Sequence, residues 1–565
     1  MWRARGGCHR RQGDRRRLRS LLFWCGRMIA EQRRIGWLCM GEWDVRPFDK
    51  APARREENRM SGAGGTAARR RRALHIVVAG LAVAAIVYWL VVAWVALHVN
   101  VARQTADFQI FYGAAAALRA HPAANIYDVR TVQASLIRDG TCAVWPNSAY
   151  DYPPLLALAL QPLTRFHCDV AFHIWTAANS VLWVVITGLL IWWAGAAATS
   201  RPGGVSADSV PSPKRWLARL HAWWLGQPDP GVSLSLLVIV LSALSYPLLA
   251  SLALGQTNFV ILCGMLLTPM LARAGHQRMA GGVLAVIALL KVYPVLLIVY
   301  YAARGRWRIV IAAVVSGAAL IGGMALALGV SGLWATRAAL ATGSDFARAA
   351  TNESLGQLPT WIALLLGGHA SLTTRLLGYA LMGAIALVFV LVVFDVSGRQ
   401  GRRRTVAASG ALLSSPAAER ETKQDPELLG YAWTVCTMPL ISPLVWLHHL
   451  AWLLLPLLAA LGAVVALPDR HAPTQRRWLA GIAAAYALTS LPLPFNHDFF
   501  GVYLSGPWVL GIPLDALAWL ARPLGTLALW AMVGARFAGA ARRAGEGDSS
   551  HIAEHAPRFI AHVTS

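Results

Sequence analysis

Residues 69–97 read RRRRALHIVVAGLAVAAIVYWLVVAWVAL. Four arginines precede a run from Leu74 to Leu97 that is long enough for a helix to cross a bilayer, which takes about 20 apolar residues. Basic flanks stay in the cytoplasm, so the arginines hold residue 69 inside and send the chain after Leu97 outside. The run is too long for a signal-peptide core and no small-residue cleavage site closes it, which makes it a retained anchor.

Comparable runs follow at Ala171–Ala194, Val232–Leu254, Ile309–Leu328 and Leu376–Val396. With 56% hydrophobic residues, 24 Trp and only 14% charged residues, the chain is not a soluble globule. The expectation is an all-α, polytopic integral membrane protein of about 10 to 13 spans. Between 154 and 303 the path stays open: Pro154–Phe166 and the two halves of Met279–Ala303 read as short spans, re-entrant pieces or one tilted helix.

The formal charge of +25 suggests nucleic acid at first sight. About twenty of the 52 Lys and Arg precede Ala73, and the rest group in short segments between apolar runs, where they act as topology signals. Arg304–Arg308, Arg399–Arg404, Arg470–Arg477 and Arg542–Arg543 are expected in the cytoplasm, and 331–374 and 496–504 outside. Residues 1–72 form a basic extension without a fold of its own, in which Met60 is a second candidate start. Residues 73–540 are the membrane domain, with an outer loop at 98–153 and a disordered cytoplasmic linker at 397–427, followed by a cytoplasmic tail at 541–565. The seven Cys show neither CxxC spacing nor a neighbouring His cluster, so no metal site and no disulfide framework is expected. Cys263 and Cys436 fall in membrane core, and Cys142 stands alone in the outer loop.

Within that loop, Asp107–Leu118 puts Phe108, Phe111, Tyr112, Ala115 and Leu118 on one helical face, which suggests a helix lying on the membrane surface. A second short helix covers Val129–Arg138. Asp107 can serve as a general base or merely cap the first helix. Tyr150-Asp151-Tyr152-Pro153-Pro154 fixes an extended approach to an apolar segment. Gly255-Gln256-Thr257-Asn258 sets amides at a break between two apolar runs. Lys291, one of four lysines, interrupts apolar sequence, and a charge at that depth is by default functional, with phosphate as a natural partner. Asn352-Glu353-Ser354 falls in an outer interval. His448 and His449 follow Ser442-Pro443 and point to different helix faces, which suits hydrogen bonding to phosphate or proton relay better than chelation.

Taken in order, these segments resemble glycosyltransferase family 87, the polyprenol-phosphate-sugar-dependent mannosyltransferases of the C-type membrane fold. The resemblance rests on Asp107-Phe108 with Tyr112, Asn125-Ile126-Tyr127-Asp128, Tyr152-Pro153-Pro154 with Pro162, Gly255-Gln256 with Asn258, Ala280-Gly281 with Lys291 and Pro294, Asn352-Glu353-Ser354, and Ser442-Pro443 through His449. It covers roughly residues 75–470, and Glu353 stands where the family more often has Gln. It implies an outer-face active site and inverting transfer of a hexose, mannose favoured, or a pentose from a polyprenyl-phosphate donor to a lipid or glycan acceptor. Carried to this chain, Asp107 is the base. Tyr112, Tyr152, Gln256, Asn258, Lys291, Asn352, His448 and His449 are the substrate-binding candidates. No cofactor, metal or nucleic acid is implied, the partners beyond substrate are membrane lipids, and the place is a bacterial inner membrane with the site facing the periplasm. A transporter or flippase, or a non-catalytic envelope-assembly subunit, is the alternative. The large loop after the first span and the lack of two repeated halves count against transport.

Overall fold

The structure, a computed structural model, describes residues 54–95, 98, 107–122, 124–140, 150–198, 230–346, 352–409, 426–465, 472–490 and 520–540. The chain divides into two units, Met1–Arg69 and Arg70–Ser565, and the candidate site lies in the second.

The described elements are helices throughout. They are α1 (Arg54–Val95), α2 (Phe108–Ala120), α3 (Val129–Asp139), α4 (Pro154–Leu160), α5 (Cys168–Ala198), α6 (Pro230–Ala243), α7 (Tyr246–Ala253), α8 (Asn258–Arg273) and α9 (Gln277–Leu290). After these come α10 (Val295–Ala303), α11 (Trp307–Phe346), α12 (Leu358–Leu365), α13 (Leu372–Ser409), α14 (Pro426–Ile441), α15 (Leu454–Val465), α16 (Ala472–Ser490) and α17 (residues 520–540). Short 3-10 segments cover Gln161–Arg165, Leu355–Gln357 and Leu447–Leu453. The membrane class expected from composition therefore holds. The helix α13 runs on to Ser409, into the stretch expected to be a linker, while 410–425 lie outside the described residues. Residues 1–53 and 541–565 also lie outside them.

Among the described residues five helices are long and apolar enough to cross a membrane, and six if the bent pair α6–α7 counts as one span. The larger number expected from sequence includes shorter apolar helices such as α8 and α9. Four of the five expose most of their surface, being 17–33% buried, whereas Leu447–Val465 is 94% buried. A helix that is apolar all round belongs in the middle of a bundle, and this one is the central post. The outer helices turn Val83, Leu90, Val184, Val315 and Leu391 outward, an apolar surface that suits lipid. Inward, Trp89 of α1 stacks on Trp183 of α5 with ring centres 4.4 Å apart.

The segment that carries α2 differs from its sequence reading in one respect. α2 begins and ends close to its expected bounds, but it does not lie one-sided on a surface. Phe108, Gln109, Phe111, Tyr112, Gly113, Ala114, Ala115, Ala117 and Leu118 are all buried. The reason is small residues on its second face. A Cβ on Gly113 would come within 2.8 Å of Val132 Cγ1, so α3 closes directly onto α2 there.

The start of α2 is docked on the turn after α7. Phe108 N–H donates to Leu254 C=O at 3.1 Å, and Trp175 Nε1 donates to Gly255 C=O at 2.8 Å. Gly255 has φ +68°, a left-handed conformation in which a Cβ would also meet Phe108 Cβ at 2.7 Å. Glycine is required there twice over, by backbone and by space. Gly255→Ala is therefore expected to lower the thermal midpoint of the detergent-solubilised protein, the backbone alone costing about 1–2 kcal/mol. Gly282→Ala, which meets only Ser316 Oγ at 3.7 Å, serves as the comparison and should leave the midpoint unchanged or raise it.

Candidate functional site

Docking α2 onto the Gly255 turn brings Asp107 against the amide motif. Asp107 stands at the start of α2 with φ −62° and ψ −20°, and its side chain makes no cap bond to the helix. The capping role allowed from sequence is thus not the one this carboxylate takes. Its Oδ2 instead accepts a 2.5 Å hydrogen bond from Gln256 Nε2. Gln256 is held in turn, because its Oε1 accepts from the Tyr152 hydroxyl at 3.0 Å. The Gln256 amide orientation follows from these two partners.

Two residues on, Asn258 opens α8 and organises the buried cation. Lys291 Nζ donates to Asn258 Oδ1 at 3.0 Å, while Asn258 Nδ2 donates to His448 C=O at 2.8 Å and to Ser251 Oγ at 3.0 Å. The ammonium also lies over the Tyr152 and Trp452 rings, 5.5 Å and 5.6 Å from their centres. Lys291 and Asn258 are buried, as are His448 and His449. Tyr152 touches both halves, with its hydroxyl on Gln256 and its ring under Lys291.

Helix length sets the depth of this cluster. α9 has 14 residues and α10 has 9, and Lys291 lies between them. At about 1.5 Å per residue these helices span about 21 Å and about 14 Å, short of a hydrocarbon core of about 30 Å. Neither helix alone is long enough to cross, and the break between them is where irregular backbone and a charge are tolerated, inside protein.

The histidines come from the 3-10 segment that begins the central post. His449 Nδ1 accepts from Trp446 N–H at 3.2 Å, which leaves Nε2 to carry the proton in the neutral ring. Its ring stacks on Trp452 and meets the edge of Tyr293. His448 Nε2 is buried and has no hydrogen-bond partner among the described residues. Asn352 sits behind this segment: Nδ2 donates to Pro443 C=O at 2.8 Å, and Oδ1 accepts from Val445 N–H at 2.9 Å and Ser354 N–H at 3.1 Å. These three bonds are to backbone, and they brace the loop that leads to His448.

Tyr112 falls elsewhere. Its hydroxyl reaches Asp139 Oδ2 and Phe166 C=O, each at 2.8 Å, tying α2 to the end of α3. A cavity of about 210 Å³ is lined by Leu118, Asn125, Tyr127, Leu328 and Gly332, and Lys291 is not among its lining residues. Tyr127 links the two regions, donating to Thr336 Oγ1 at 2.8 Å and reaching Tyr152 C=O at 3.2 Å.

Sequence reading missed several residues. Arg522 forms a buried ion pair with Glu353, joining α17 to the 352–354 segment. An arginine in the otherwise apolar stretch 516–529 carried the same intramembrane-charge signal as Lys291 and could have been found by it. Asp151 is within electrostatic reach of Lys291. Tyr293 and Trp452 had no signal apart from the aromatic content common to the whole chain. Cys263 and Cys436 are buried free thiols, as expected. Cys168 is disulfide-bonded. Sequence spacing gave no hint of that bond, because disulfide partners need nearness in space alone. Among the described residues no group of three or more His, Cys, Asp or Glu is placed to hold a metal ion.

In comparisons with known proteins, the family model described as Glycosyltransferase family 87 matches residues 150–416. No curated protein and no solved structure matches. The matched segment carries Tyr152, Gln256, Asn258, Lys291 and Asn352, while Asp107 precedes it and the His448–His449 pair follows it.

The Glu353–Arg522 pair gives this architecture a direct test. Removing one partner leaves an uncompensated buried charge, which costs about 3–5 kcal/mol, whereas replacing both by apolar residues is often neutral. Arg522→Met should therefore strongly lower the thermal midpoint, and Glu353→Met with Arg522→Met together should recover most of the loss. A double variant no more stable than the single one would remove the ion pair as the link between α17 and the loop.

Proposed function

We propose that this chain, a member of glycosyltransferase family 87, transfers a hexose, mannose by preference, or a pentose from a polyprenyl-phosphate donor to a lipid or glycan acceptor at the outer face of the membrane. Family membership makes it a membrane glycosyltransferase; the donor, the sugar, the base and the orientation are our reading. The observation that carries it is a carboxylate and a buried cation in one site, joined through Tyr152.

In this reading Asp107 is the general base. It takes the proton of the acceptor hydroxyl as that oxygen attacks the anomeric carbon, and the bond from carbon to the phosphate oxygen breaks with inversion. Gln256 orients the carboxylate by its hydrogen bond without supplying a charge. The departing phosphate carries the negative charge that develops, and Lys291 and the imidazoles of His448 and His449 stabilise it in a site poor in water. Its lipid tail is already in the bilayer, so a cation sunk below the surface is well placed for that leaving group. Tyr152 and Asn258 hold these groups in register, and Asn352 braces the histidine segment. The hydrogen bonds of Tyr112 support a structural role instead.

An outer, periplasmic site in a bacterial inner membrane follows from the basic segments between spans. A cysteine introduced as Asn147→Cys should react with an impermeant thiol reagent applied to intact cells, and one introduced as Ser409→Cys should not. Labelling of the second alone would invert the topology and put Asp107 on the cytoplasmic side.

The catalytic claim rests on Asp107→Asn. Asparagine keeps the volume and one acceptor oxygen toward Gln256 but cannot take a proton. Turnover should fall about 100-fold or more with donor affinity little changed. Near-parental turnover by folded variant protein would remove Asp107 from catalysis.

A further inference from the structure

The ends of α2 and α3 and the segment before α5 carry cations that the chemistry above leaves unused, and hydrogen bonds gather them in one place. Arg119, in the last turn of α2, donates from Nη1 to Thr164 C=O at 2.5 Å. Tyr112, on the same helix, reaches Phe166 C=O and Asp139 Oδ2 with its hydroxyl, each at 2.8 Å. Asp139 closes α3 and accepts from Cys168 N–H at 3.1 Å through its other oxygen. Both helix ends and the segment 164–167 therefore meet at the start of α5. Arg119, Arg138 and Arg165 are exposed there, as is His167.

The height of this patch follows from α5, whose apolar span begins at Cys168. Residues just before a span stand where hydrocarbon gives way to headgroups. Beside the cations Ile137 is 66% exposed and Phe166 49% exposed, and Val170 is exposed as well. Apolar and guanidinium side chains interleaved at that height fit a lipid surface, the first reaching acyl chains and the second headgroups.

Two acids lie among these cations. Asp139 keeps only 13% of its side chain exposed and is taken up by Cys168 N–H and the Tyr112 hydroxyl, with His167 Nδ1 3.8 Å away. Asp169 accepts from Val170 N–H at 2.7 Å. The carboxylates are thus engaged by backbone N–H groups while the arginines stay exposed. Helix dipoles account for arginine in the last turns of α2 and α3, but not for exposed Ile137 and Phe166 beside them. In the orientation proposed above the arginines stand on the outer flank, where the positive-inside rule gives them no part.

We propose that this patch binds an anionic phospholipid, with Arg119, Arg138 and Arg165 around the headgroup phosphate and Ile137 and Phe166 against its acyl chains. Guanidinium groups suit phosphate because their paired N–H donors match its oxygens. A zwitterionic lipid brings the same phosphate together with a cation that the arginines repel, so net charge selects the ligand. The bound lipid clamps the ends of α2 and α3 to the start of α5, and Asp107 precedes the other end of α2. The site is fixed by the end of the span and is the same whichever side of the membrane it faces.

The test uses the purified full-length protein in nanodiscs of phosphatidylcholine with a rising fraction of phosphatidylglycerol. Each preparation carries a trace of a photoactivatable analogue of one lipid or the other, and labelled peptides are mapped by mass spectrometry. The phosphatidylglycerol analogue should label the peptides holding residues 119, 138 and 165 well above the phosphatidylcholine analogue, and salt at about 1 M should erase the difference. Arg138→Gln with Arg165→Gln, checked for an unchanged thermal midpoint, should weaken this binding about fivefold for each arginine removed. Adding Arg119→Gln should weaken it further. Millimolar inorganic phosphate should leave the labelling unchanged, since Ile137 and Phe166 favour only a ligand with a tail. Equal labelling by the two analogues overturns the proposal, as does parental labelling in the double variant. Displacement by inorganic phosphate would make the patch a site for free anions and overturn it as a lipid site.

Discussion

The hydrogen bond from Gln256 to Asp107 joins residues 149 positions apart, and the site exists only because that joint is made. Each side of it is prepared by backbone. On one side Phe108 N–H is anchored on Leu254 C=O, so the helix carrying Asp107 begins against the end of α7. On the other, Gly255 turns left-handed and leaves room for Phe108, which brings Gln256 round to face the carboxylate. A side chain at 255 would separate the two without touching either functional group.

The second constraint is solvation. At the site a lysine, two histidines and the amides of Gln256, Asn258 and Asn352 are buried among mostly apolar side chains, and each needs a partner there. Asn258 meets much of that need, serving Lys291 with its oxygen and His448 C=O and Ser251 with its nitrogen. The short helices α9 and α10 allow this, since the chain breaks between them at Lys291, which is buried inside protein. Polar atoms still unpartnered there, His448 Nε2 foremost, suit a site awaiting a polar ligand.

Much of this was legible in the sequence, for physical reasons. Long apolar runs and arginine-rich breaks state the membrane class directly. α2 and α3 were legible from periodicity and turn residues, and Gln256, Asn258 and Lys291 because polar groups in apolar sequence are costly enough to demand a cause. What could not be read was direction. Periodicity identified one apolar face of α2 and suggested lipid beneath it, but the small residues that let α3 close on the opposite face matter only once the two helices meet. Tyr112 shared the face expected near Asp107, yet its hydroxyl goes to Asp139. Arg522 and Glu353 are 169 positions apart in sequence, and the Cys168 disulfide has no spacing signature, so both depended on the fold.

The central claim is that this chain is a membrane glycosyltransferase that draws its sugar from a lipid phosphate. Purified protein should be offered prenyl phosphates carrying mannose, arabinofuranose, glucose or galactose in turn, with a membrane lipid extract as acceptor, and the product's anomeric configuration should be determined by NMR. The account predicts transfer from one of these donors, mannose first, with the configuration of the donor inverted. Transfer from a soluble nucleotide sugar instead, or a product that retains the donor's configuration, would contradict it.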